Sequence, residues 1–260
     1  MKVVIVGGGA GGMSTASNIR RLDKNAEIIV ITRDKNVAYS PCAIPYVLSG
    51  KIASFDDIIM KTPQDYKEDN IDVLVNSEVT NIDSNKKSVT YENDDGEKTI
   101  SYDKLVLATG GNPFVPPMEG VDLDGVFQIR NIDDGRKVQK WAKNSKSAVV
   151  TGAGLIGIEI VYALKELGLN VTLSEMMPQI VPRSLDSDMA DILTNYLKME
   201  NIHVMLGEPI TKLEGENGKV KKAYFGDGSC IDADMVILAT GVRPELKLAK
   251  MADCDIGRWA

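Results

Sequence analysis

Histidine, cysteine and aromatic residues are scarce in this chain of 260 residues. It has one His, His203, and three Cys, and 5% of its residues are aromatic. A single His argues against a His-based metal site and against a Ser-His-Asp triad. The cysteines, at positions 42, 230 and 254, are too widely spaced for a metal-ligand pair or a secreted disulfide framework. We therefore predict no metal site, and we assign no function to Cys230, Cys254 or His203.

The chain also lacks dense runs of Lys and Arg and long uninterrupted apolar runs. Its net charge of −7 argues against a nucleic-acid or anionic-membrane partner. The apolar N-terminus breaks into glycines after Val6, which is typical of a strand rather than of a signal peptide. The longest apolar run, 148–164, contains three glycines and Glu159, so it does not resemble a spanning helix. We expect no membrane partner and a cytoplasmic location.

What the chain does contain is a glycine-rich turn directly after its first strand. Lys2–Val6 is a β-branched run, the turn Gly7–Gly12 follows, and a helical pattern then extends from Met13 to Leu22. A second buried strand is predicted at Glu27–Thr32. This is a βαβ unit with GxGxxG at its first turn, where glycines allow a dinucleotide pyrophosphate to approach the helix N-terminus.

The same arrangement returns later in the chain. A strand beginning at Ala148 leads into Gly152–Gly157, a helix to Leu167 and a strand that ends at Glu175. The distance from the first glycine to Glu175 suits a carboxylate that binds an adenosine ribose. This carboxylate would repel a 2′-phosphate, which favours NAD over NADP.

Each βαβ unit is followed by an alternating pattern and by a strand that ends in Ala-Thr-Gly. The first pattern covers Glu78–Tyr102 and predicts an antiparallel meander before the strand at 103–111. The second copy of the strand is at 234–244. Helices are predicted at Phe55–Met60, Pro63–Glu68 and Ser187–Met199. Two copies of the same series in one chain predict an internal repeat at the scale of a domain.

Cys42 lies in the stretch Tyr39–Tyr46, with a proline before it and an apolar run after it. If a helix begins near Cys42, Pro45 falls in its first turn, where a missing N–H costs nothing. The thiol would then face the positive end of a helix dipole, which lowers a thiol pKa. A small buried hydrophobic residue is the alternative interpretation of a free cysteine.

Taken together, these motifs resemble the pyridine nucleotide-disulfide oxidoreductases, flavoproteins in which an NAD(P) domain interrupts an FAD domain. The resemblance rests on four segments: Gly7–Gly12, Asp103–Gly110, Gly152–Gly157 with Glu159, and Ala239–Pro244. It implies an α/β fold with two Rossmann-like domains of three-layer ββα architecture. The implied boundaries are 1–112 for the FAD domain, 113–246 for the NAD domain and 247–260 for the return to the FAD domain. It also implies a homodimer for the full-length protein.

The resemblance further implies a set of residues that contact FAD or NAD. These are Gly7, Gly9, Ala10, Gly11, Gly12, Thr32, Arg33, Val79, Ala108, Thr109, Gly110, Arg130, Gly152, Gly154, Leu155, Ile156, Gly157, Glu159, Glu175 and Gly241. One of them departs from the family pattern, because Thr32 stands where an acidic residue usually binds the adenosine ribose of FAD.

A single Cys in the setting Ser-Pro-Cys-Ala-Ile-Pro-Tyr resembles the branch of coenzyme A disulfide reductases, NADH oxidases and NADH peroxidases. Oxidases and peroxidases commonly have a His where this chain has Ala10, which favours the reductases. The helix after the first glycine turn resembles that of coenzyme A disulfide and persulfide reductases. It implies that Ser14, Asn18 and Arg21 contact coenzyme A; a solvated helix-end cation is the alternative for Arg21.

The leading prediction is an FAD-dependent NADH:disulfide reductase in which Cys42 is the catalytic thiol and coenzyme A disulfide or a persulfide is the substrate. The main alternative is an NADH oxidase or peroxidase, which would take Cys42 to a sulfenic acid. A ferredoxin- or rubredoxin-type reductase would not need Cys42. Because the family's second FAD segment and C-terminal domain do not follow Arg243, we expect a fragment of a longer protein with weak or no activity alone. An inactive nucleotide-binding fragment or redox sensor is therefore a further alternative.

Overall fold

The fold is that of a computed structural model, which describes residues 1–257. Two compact units make up the described chain. The first unit contains residues 1–40, 56–112 and the chain from Arg243 onward, and the second contains 41–55 and 113–242. Segments of the second unit therefore interrupt the first unit at two places in the chain. The second unit includes 41–55, whereas the predicted NAD domain covers 113–246, and these domain boundaries stay a prediction.

The described residues form seven α-helices and seventeen strands, which we number in chain order. The helices are α1 (Ala10–Leu22), α2 (Ile44–Leu48), α3 (Pro63–Glu68), α4 (Ile132–Ala142), α5 (Leu155–Glu166), α6 (Ser187–Met199) and α7 (Lys247–Met251). The strands are β1 (Lys2–Val6), β2 (Glu27–Ile31), β3 (Ile71–Leu74), β4 (Glu78–Asp83), β5 (Ser88–Asn93), β6 (Gly96–Ser101), β7 (Lys104–Leu107), β8 (Gly111–Pro113), β9 (Val126–Phe127), β10 (Ser147–Thr151), β11 (Asn170–Glu175), β12 (His203–Leu206), β13 (Ile210–Glu216), β14 (Lys219–Phe225), β15 (Cys230–Asp232), β16 (Met235–Leu238) and β17 (Val242–Pro244).

A parallel sheet in the order β3-β2-β1-β7 forms the middle layer of the first unit. Successive side chains of a strand point to opposite faces of a sheet. Accordingly, Val3 and Ile5 share a buried core with Met13 of α1. Val4 and Val6 share another with the antiparallel sheet β4-β5-β6. The sheet therefore lies between a helix layer and a meander layer.

The second unit repeats this arrangement with the parallel order β12-β11-β10-β16-β9. Helix α5 packs on β10 and β11. Val149 and Val236 share a core with residues of the antiparallel sheet β13-β14-β15, among them Leu213 and Phe225. The prediction of an α/β fold with two Rossmann-like units of three-layer architecture is confirmed.

The helices predicted from the sequence agree with the structure in some places and differ in others. The predicted helix Ser187–Met199 has these bounds in the structure. The predicted helix at Phe55–Met60 is wrong, because only Asp56–Ile58 form one turn of 3-10 helix. Helix α4 lies outside the elements predicted from the sequence, although Asn131 and Asp134 form a reciprocal capping box at its start. None of the described helices is both long enough and apolar enough to cross a membrane.

Even a strained backbone position is repeated in both units. Ala38 and Val181 have positive φ angles of 48° and 45°. The N–H of Ala38 donates to the carbonyl of Gly8, and the N–H of Val181 donates to the carbonyl of Ala153. A β-branched residue pays a steric cost in this conformation. In both units this hydrogen bond fixes the glycine-rich turn to the chain that follows the second strand, and it thereby offsets the strain of the positive φ angle.

Gly12→Ala tests the closest backbone contact of the first unit. A Cβ at Gly12 would lie 1.9 Å from the carbonyl oxygen of Gly7, whereas a Cβ at Gly9 would meet no atom within 4 Å. We expect Gly12→Ala to lower the free energy of unfolding by about 3 kcal/mol through overpacking. Gly9→Ala, the matched control, should change it by less than about 1 kcal/mol. Urea unfolding followed by circular dichroism measures both, and equal stability of the two variants would contradict the contact.

Candidate functional site

The first candidate dinucleotide site is the turn between β1 and α1. Gly7 has a φ of 118°, and a Cβ there would lie 2.1 Å from the carbonyl oxygen of Ala108. Gly12 packs on Gly7 as described above. Gly9 borders open space and precedes α1 without a side-chain cap. The N–H groups of the first helical turn are therefore free for an anion, as a pyrophosphate site requires. Ala10 and Gly11 are exposed at this end of the helix.

The second candidate site repeats this geometry between β10 and α5. A Cβ at Gly152 would lie 2.4 Å from the carbonyl oxygen of Ala239, and one at Gly157 would lie 1.9 Å from the carbonyl oxygen of Gly152. Gly154 borders open space, and no side chain caps α5. In each unit the helix N-terminus therefore has no side-chain cap and no acidic residue in its first turn, and it follows a glycine-rich turn with open space at its last glycine.

Two apolar side chains extend this second site. Leu155 and Ile156, in the first turn of α5, are 67% and 48% exposed. Glu159 is exposed one turn further along the same helix. Apolar side chains left in solvent beside a phosphate-type cradle are suited to contact a nucleotide ring. Leu155, Ile156 and Glu159 thus lie near one end of α5, and their contacts with a cofactor stay a prediction.

The residue that follows the second strand of each unit differs in chemistry. Glu175 is 8% exposed, and its two carboxylate oxygens accept hydrogen bonds from the N–H of Ala153 at 2.7 Å and of Met177 at 2.9 Å. The equivalent residue of the first unit, Thr32, is 4% exposed, and its hydroxyl accepts from the N–H of Asp34 at 3.3 Å. A carboxylate has further lone pairs for a ribose hydroxyl. Only the second site has this fixed negative charge.

A polar network in the first unit joins the ends of β2 and β7 to the returning chain. Arg33 donates to the side-chain oxygen of Asn112 at 2.9 Å, and the amide of Asn112 donates to Glu245 at 2.7 Å. Glu245 also accepts the N–H of Lys247. This backbone bond, with help from Asn112 and Arg33, lowers the pKa of Glu245. The network keeps Glu245 ionised, and the exposed guanidinium of Arg33 lies at the strand end where the sequence predicts a cofactor contact.

The strand-end glycines predicted as cofactor contacts also need special conformations. Gly110 and Gly241 have φ angles of 66° and 106°, which favour glycine. Next to Gly110, the hydroxyl of Thr109 donates to the carbonyl of Glu245 at 3.1 Å. The returning chain therefore holds the end of β7 beside the Gly7 turn, because Ala108 contacts that turn directly.

Two further predicted contacts have structural partners. Val79 is 7% exposed and belongs to the core under β4. Arg130 is half-buried, and its N–H donates to the carboxylate of Asp134 at 3.0 Å. Burial raises the pKa of Asp134. Val79 is thus a core side chain, and the backbone of Arg130 supports the start of α4. The predicted contacts of both residues with a cofactor stay predictions.

Cys42 lies in a 3-10 turn, Pro41–Ala43, directly before α2. A helix thus begins next to Cys42, and Pro45 lies in its first turn, as the sequence predicts. The thiol is exposed, which rules out the alternative of a buried hydrophobic residue. Ile44 and Leu48 are buried on the other side of the turn and fix α2 against the second unit.

The packing of this segment depends on a glycine that the sequence analysis missed. A Cβ at Gly135 in α4 would lie 2.6 Å from the ring of Phe55. Helix α2 packs on α4 and α5, and the absence of a side chain at Gly135 lets Phe55 approach. The other free cysteines, Cys230 and Cys254, are exposed, and the described residues contain no disulfide.

The three residues predicted to contact coenzyme A form a ladder on the exposed face of α1. Asn18 donates to the carbonyl of Ser14 at 2.9 Å, and Arg21 donates to the side-chain oxygen of Asn18 at 2.9 Å. The neighbouring Arg20 has a different role, because its guanidinium donates to five backbone carbonyls around the end of α1 and the start of β3. Arg20 is structural, whereas Arg21 is a cation held in place on an exposed face.

No three His, Cys, Asp or Glu side chains are grouped for a metal ion within residues 1–257. The chain matches the profile of the pyridine nucleotide-disulphide oxidoreductases over residues 1–260. It belongs to this family. Proteins of the pyridine nucleotide-disulphide oxidoreductase family use FAD and NAD(P)H, and the two glycine cradles described above fit the pyrophosphates of two such dinucleotides.

Within this family the chain is similar to two proteins named as an oxidase or a reductase, and to one reductase structure. An NADH oxidase of Methanocaldococcus jannaschii is 53% identical over 264 residues, with 100% of this chain and 58% of the relative covered. An NAD(P)H coenzyme A polysulfide/persulfide reductase of Pyrococcus horikoshii is 37% identical over 98% of this chain and 57% of its own length. The structure of an NAD-dependent persulfide reductase from A. fulgidus superposes with a TM-score of 0.96 at 35% identity, over 99% of this chain and 49% of that one. The chain thus spans about half to three-fifths of each.

Glu175→Gln tests the buried carboxylate of the second unit. Both oxygens of Glu175 accept a backbone N–H, whereas an amide has only one acceptor oxygen. We expect the substitution to lower the free energy of unfolding by about 1–3 kcal/mol, because one buried N–H loses its partner. Glu159→Gln, on an exposed position of α5, is the control and should leave it unchanged. Thermal unfolding without nucleotide measures both; an unchanged Tm for Glu175→Gln would contradict the bond pattern.

Proposed function

We propose that the chain carries the dinucleotide sites and the catalytic thiol of an FAD-dependent NADH:disulfide oxidoreductase. The observation that carries this proposal is one exposed cysteine, Cys42, at a helix start in a chain with two glycine cradles. Family membership gives the cofactors, and the absence of a neighbouring cysteine restricts the sulfur chemistry. A dithiol mechanism needs a second cysteine close by, whereas the next one in the sequence is Cys230.

The first unit is the proposed FAD domain and the second the proposed NAD domain. Glu175 supports this division, because its fixed carboxylate suits the ribose 2′-OH of NADH and repels a 2′-phosphate. In the first unit Thr32 offers only a hydroxyl, and the exposed Arg33 follows it. FAD has no 2′-phosphate, so a carboxylate is not needed there for discrimination.

Cys42 acts as the nucleophile that attacks the substrate disulfide in this proposal. Its thiolate attacks a substrate disulfide, forms a mixed disulfide and releases one thiol. When bound, NADH and FAD supply the two electrons that reduce the mixed disulfide. Cys42 then returns to a thiolate, and the second thiol leaves with a proton. The sum is one NADH, one proton and one disulfide consumed for one NAD⁺ and two thiols.

Coenzyme A disulfide or a coenzyme A persulfide is the proposed substrate. The hydrogen-bonded ladder of Ser14, Asn18 and Arg21 supports it, because Arg21 offers a held guanidinium to a phosphate and the other two offer polar side chains. The relative named a coenzyme A polysulfide/persulfide reductase supports it as well. The whole protein is proposed to be cytoplasmic, because a reducing compartment keeps an exposed thiol such as Cys42 free. It is also proposed to be a homodimer, as the family resemblance implies.

An NADH oxidase is the second candidate. The relative with 53% identity carries that name. In this case peroxide rather than a disulfide would transfer an oxygen atom to the Cys42 thiolate and form the sulfenic acid. Two electrons from NADH would then return the sulfenic acid to the thiolate with loss of water. Ala10 in place of a His favours the reductase.

Cys42→Ser distinguishes both candidates from a nucleotide-binding fragment. We expect the whole protein loaded with FAD to develop a long-wavelength thiolate–flavin absorbance during anaerobic NADH titration, and its Cys42→Ser variant to lose this band together with NADH consumption on coenzyme A disulfide. Cys230→Ser, which removes another exposed thiol, is the control and should keep both. Equal NADH consumption by Cys42→Ser and the unchanged chain would overturn the role of Cys42. Faster consumption with oxygen than with coenzyme A disulfide would favour the oxidase.

Glu175→Gln also tests the preference for NADH. Loss of the negative charge should reduce the ratio of NADH to NADPH affinity by about tenfold, because repulsion of the 2′-phosphate disappears. Fluorescence titration with each nucleotide gives the ratio, and Glu216→Gln, which removes the same charge from an exposed position outside the glycine cradle, should retain it. A ratio unchanged in Glu175→Gln would show that Glu175 does not face the ribose.

A further inference from the structure

A cleft of about 480 Å³ lies in the second unit, apart from the residues assigned to a function above. It is lined by four lysines, Lys137, Lys140, Lys219 and Lys221, together with Trp141 and Asp234. The volume lies in the range of small-molecule sites. Four cations around one cleft stand out in a protein with a net charge of −7.

The cleft is distinct from the proposed NAD site. Asp234 precedes β16, and Lys140 and Trp141 lie in α4, which ends shortly before β10. Gly152 follows the carboxyl end of β10, whose five residues extend about 16 Å. Dinucleotides bind at the carboxyl ends of such strands. A ligand in the cleft would therefore lie at the opposite end of the same sheet.

The one acidic side chain of the cleft is already engaged. The carboxylate of Asp234 accepts the N–H of Lys146 at 2.7 Å and that of Ser147 at 3.2 Å. The backbone bond from Lys146 is the main cause that lowers the pKa of Asp234. Lys137 has a long contact of 3.8 Å with Asp134. Among residues 1–257, no ion pair engages Lys140 or Lys219, and the charge of Lys221 helps to lower the pKa of Asp234. Four ammonium groups against one carboxylate leave cationic charge predominant in the cleft.

Trp141 gives the cleft a rigid apolar wall. Its indole N–H donates to the carbonyl of Asp234 at 2.9 Å, and the ring of Phe127 packs edge-on with centroids 5.6 Å apart. The ammonium of Lys219 lies 5.8 Å from the centre of the indole ring. Such a cleft suits a compound that carries both phosphates and a ring. The ammonium groups of the lysines would contact the phosphates, and the ring would pack against the indole.

We propose that this cleft is a binding site for a polyphosphate anion, such as the triphosphate of a nucleotide. Binding there does not depend on the proposed oxidoreductase activity, because no residue of the cleft belongs to the glycine cradles or to the Cys42 turn. Lys140 and Lys221 hold the phosphates together with Lys219, and Trp141 is the wall next to them. A free polyphosphate or a nucleotide could supply these phosphates. Inorganic triphosphate and ATP distinguish the two, because only ATP has a base that can pack against the indole.

Tryptophan fluorescence tests the proposal directly, because Trp141 and Trp259 are the two tryptophans of the chain. In Trp259→Phe, with NAD⁺ present at saturation and at low ionic strength, we expect saturable changes in Trp141 fluorescence with inorganic triphosphate. The double substitution Lys140→Gln and Lys221→Gln should weaken this binding by about tenfold or more, since charge-assisted bonds are lost. Lys24→Gln with Lys198→Gln removes the same charge from exposed positions and is the matched control.

Tighter binding of ATP than of triphosphate would assign the ring to the Trp141 wall, and equal binding would restrict the site to the phosphates; both support the proposal. NADH affinity and circular dichroism of the double variant should match those of the parent, which excludes unfolding as the cause. Three outcomes overturn it: no saturable change with either anion, equal weakening in the control, or anion binding that is observed without NAD⁺ and is lost when NAD⁺ is present at saturation.

Discussion

Both units depend on one backbone contact that only glycine permits. In the turn after β1 and in the turn after β10, the last glycine of the motif packs on the carbonyl of the first glycine, with no room for a Cβ. This contact brings the helix close to the strand and leaves its N-terminal N–H groups exposed over the open position of Gly9 or Gly154. The cradle for a pyrophosphate is thus a consequence of how closely a helix can pack on a sheet.

The internal repeat extends beyond these turns and also shows where the two units differ. Strand order, meander, strand-end glycine and the strained positions Ala38 and Val181 are shared. Thr32 and Glu175 occupy equivalent positions with different chemistry, because Glu175 accepts two backbone bonds where Thr32 accepts one. One scaffold therefore carries two candidate dinucleotide sites that differ in charge after the second strand.

Much of the fold was predictable because its signals are local. The β-branched run Lys2–Val6, the glycine spacing and the alternating meander each lie in a short stretch of sequence. Helix α4 was missed although Asn131 and Asp134 form a capping box, a signal that would have located its start. The error at Phe55–Met60 has a physical reason, since Phe55 is buried against Gly135 rather than on a helix face. Tertiary packing there overrides a local pattern.

The sequence by itself determined the two βαβ units, their repeat and the lone Cys42 in the stretch Tyr39–Tyr46, because chain order and residue spacing carry that information. Only the tertiary structure decided that Arg20 is a structural anchor and Arg21 is exposed, that Glu245 joins Asn112, and that 41–55 packs with the second unit. It also decided the lysine cleft around Trp141, whose residues are drawn from separate elements. These features depend on contacts between residues far apart in the chain, and no periodicity of the sequence records such contacts.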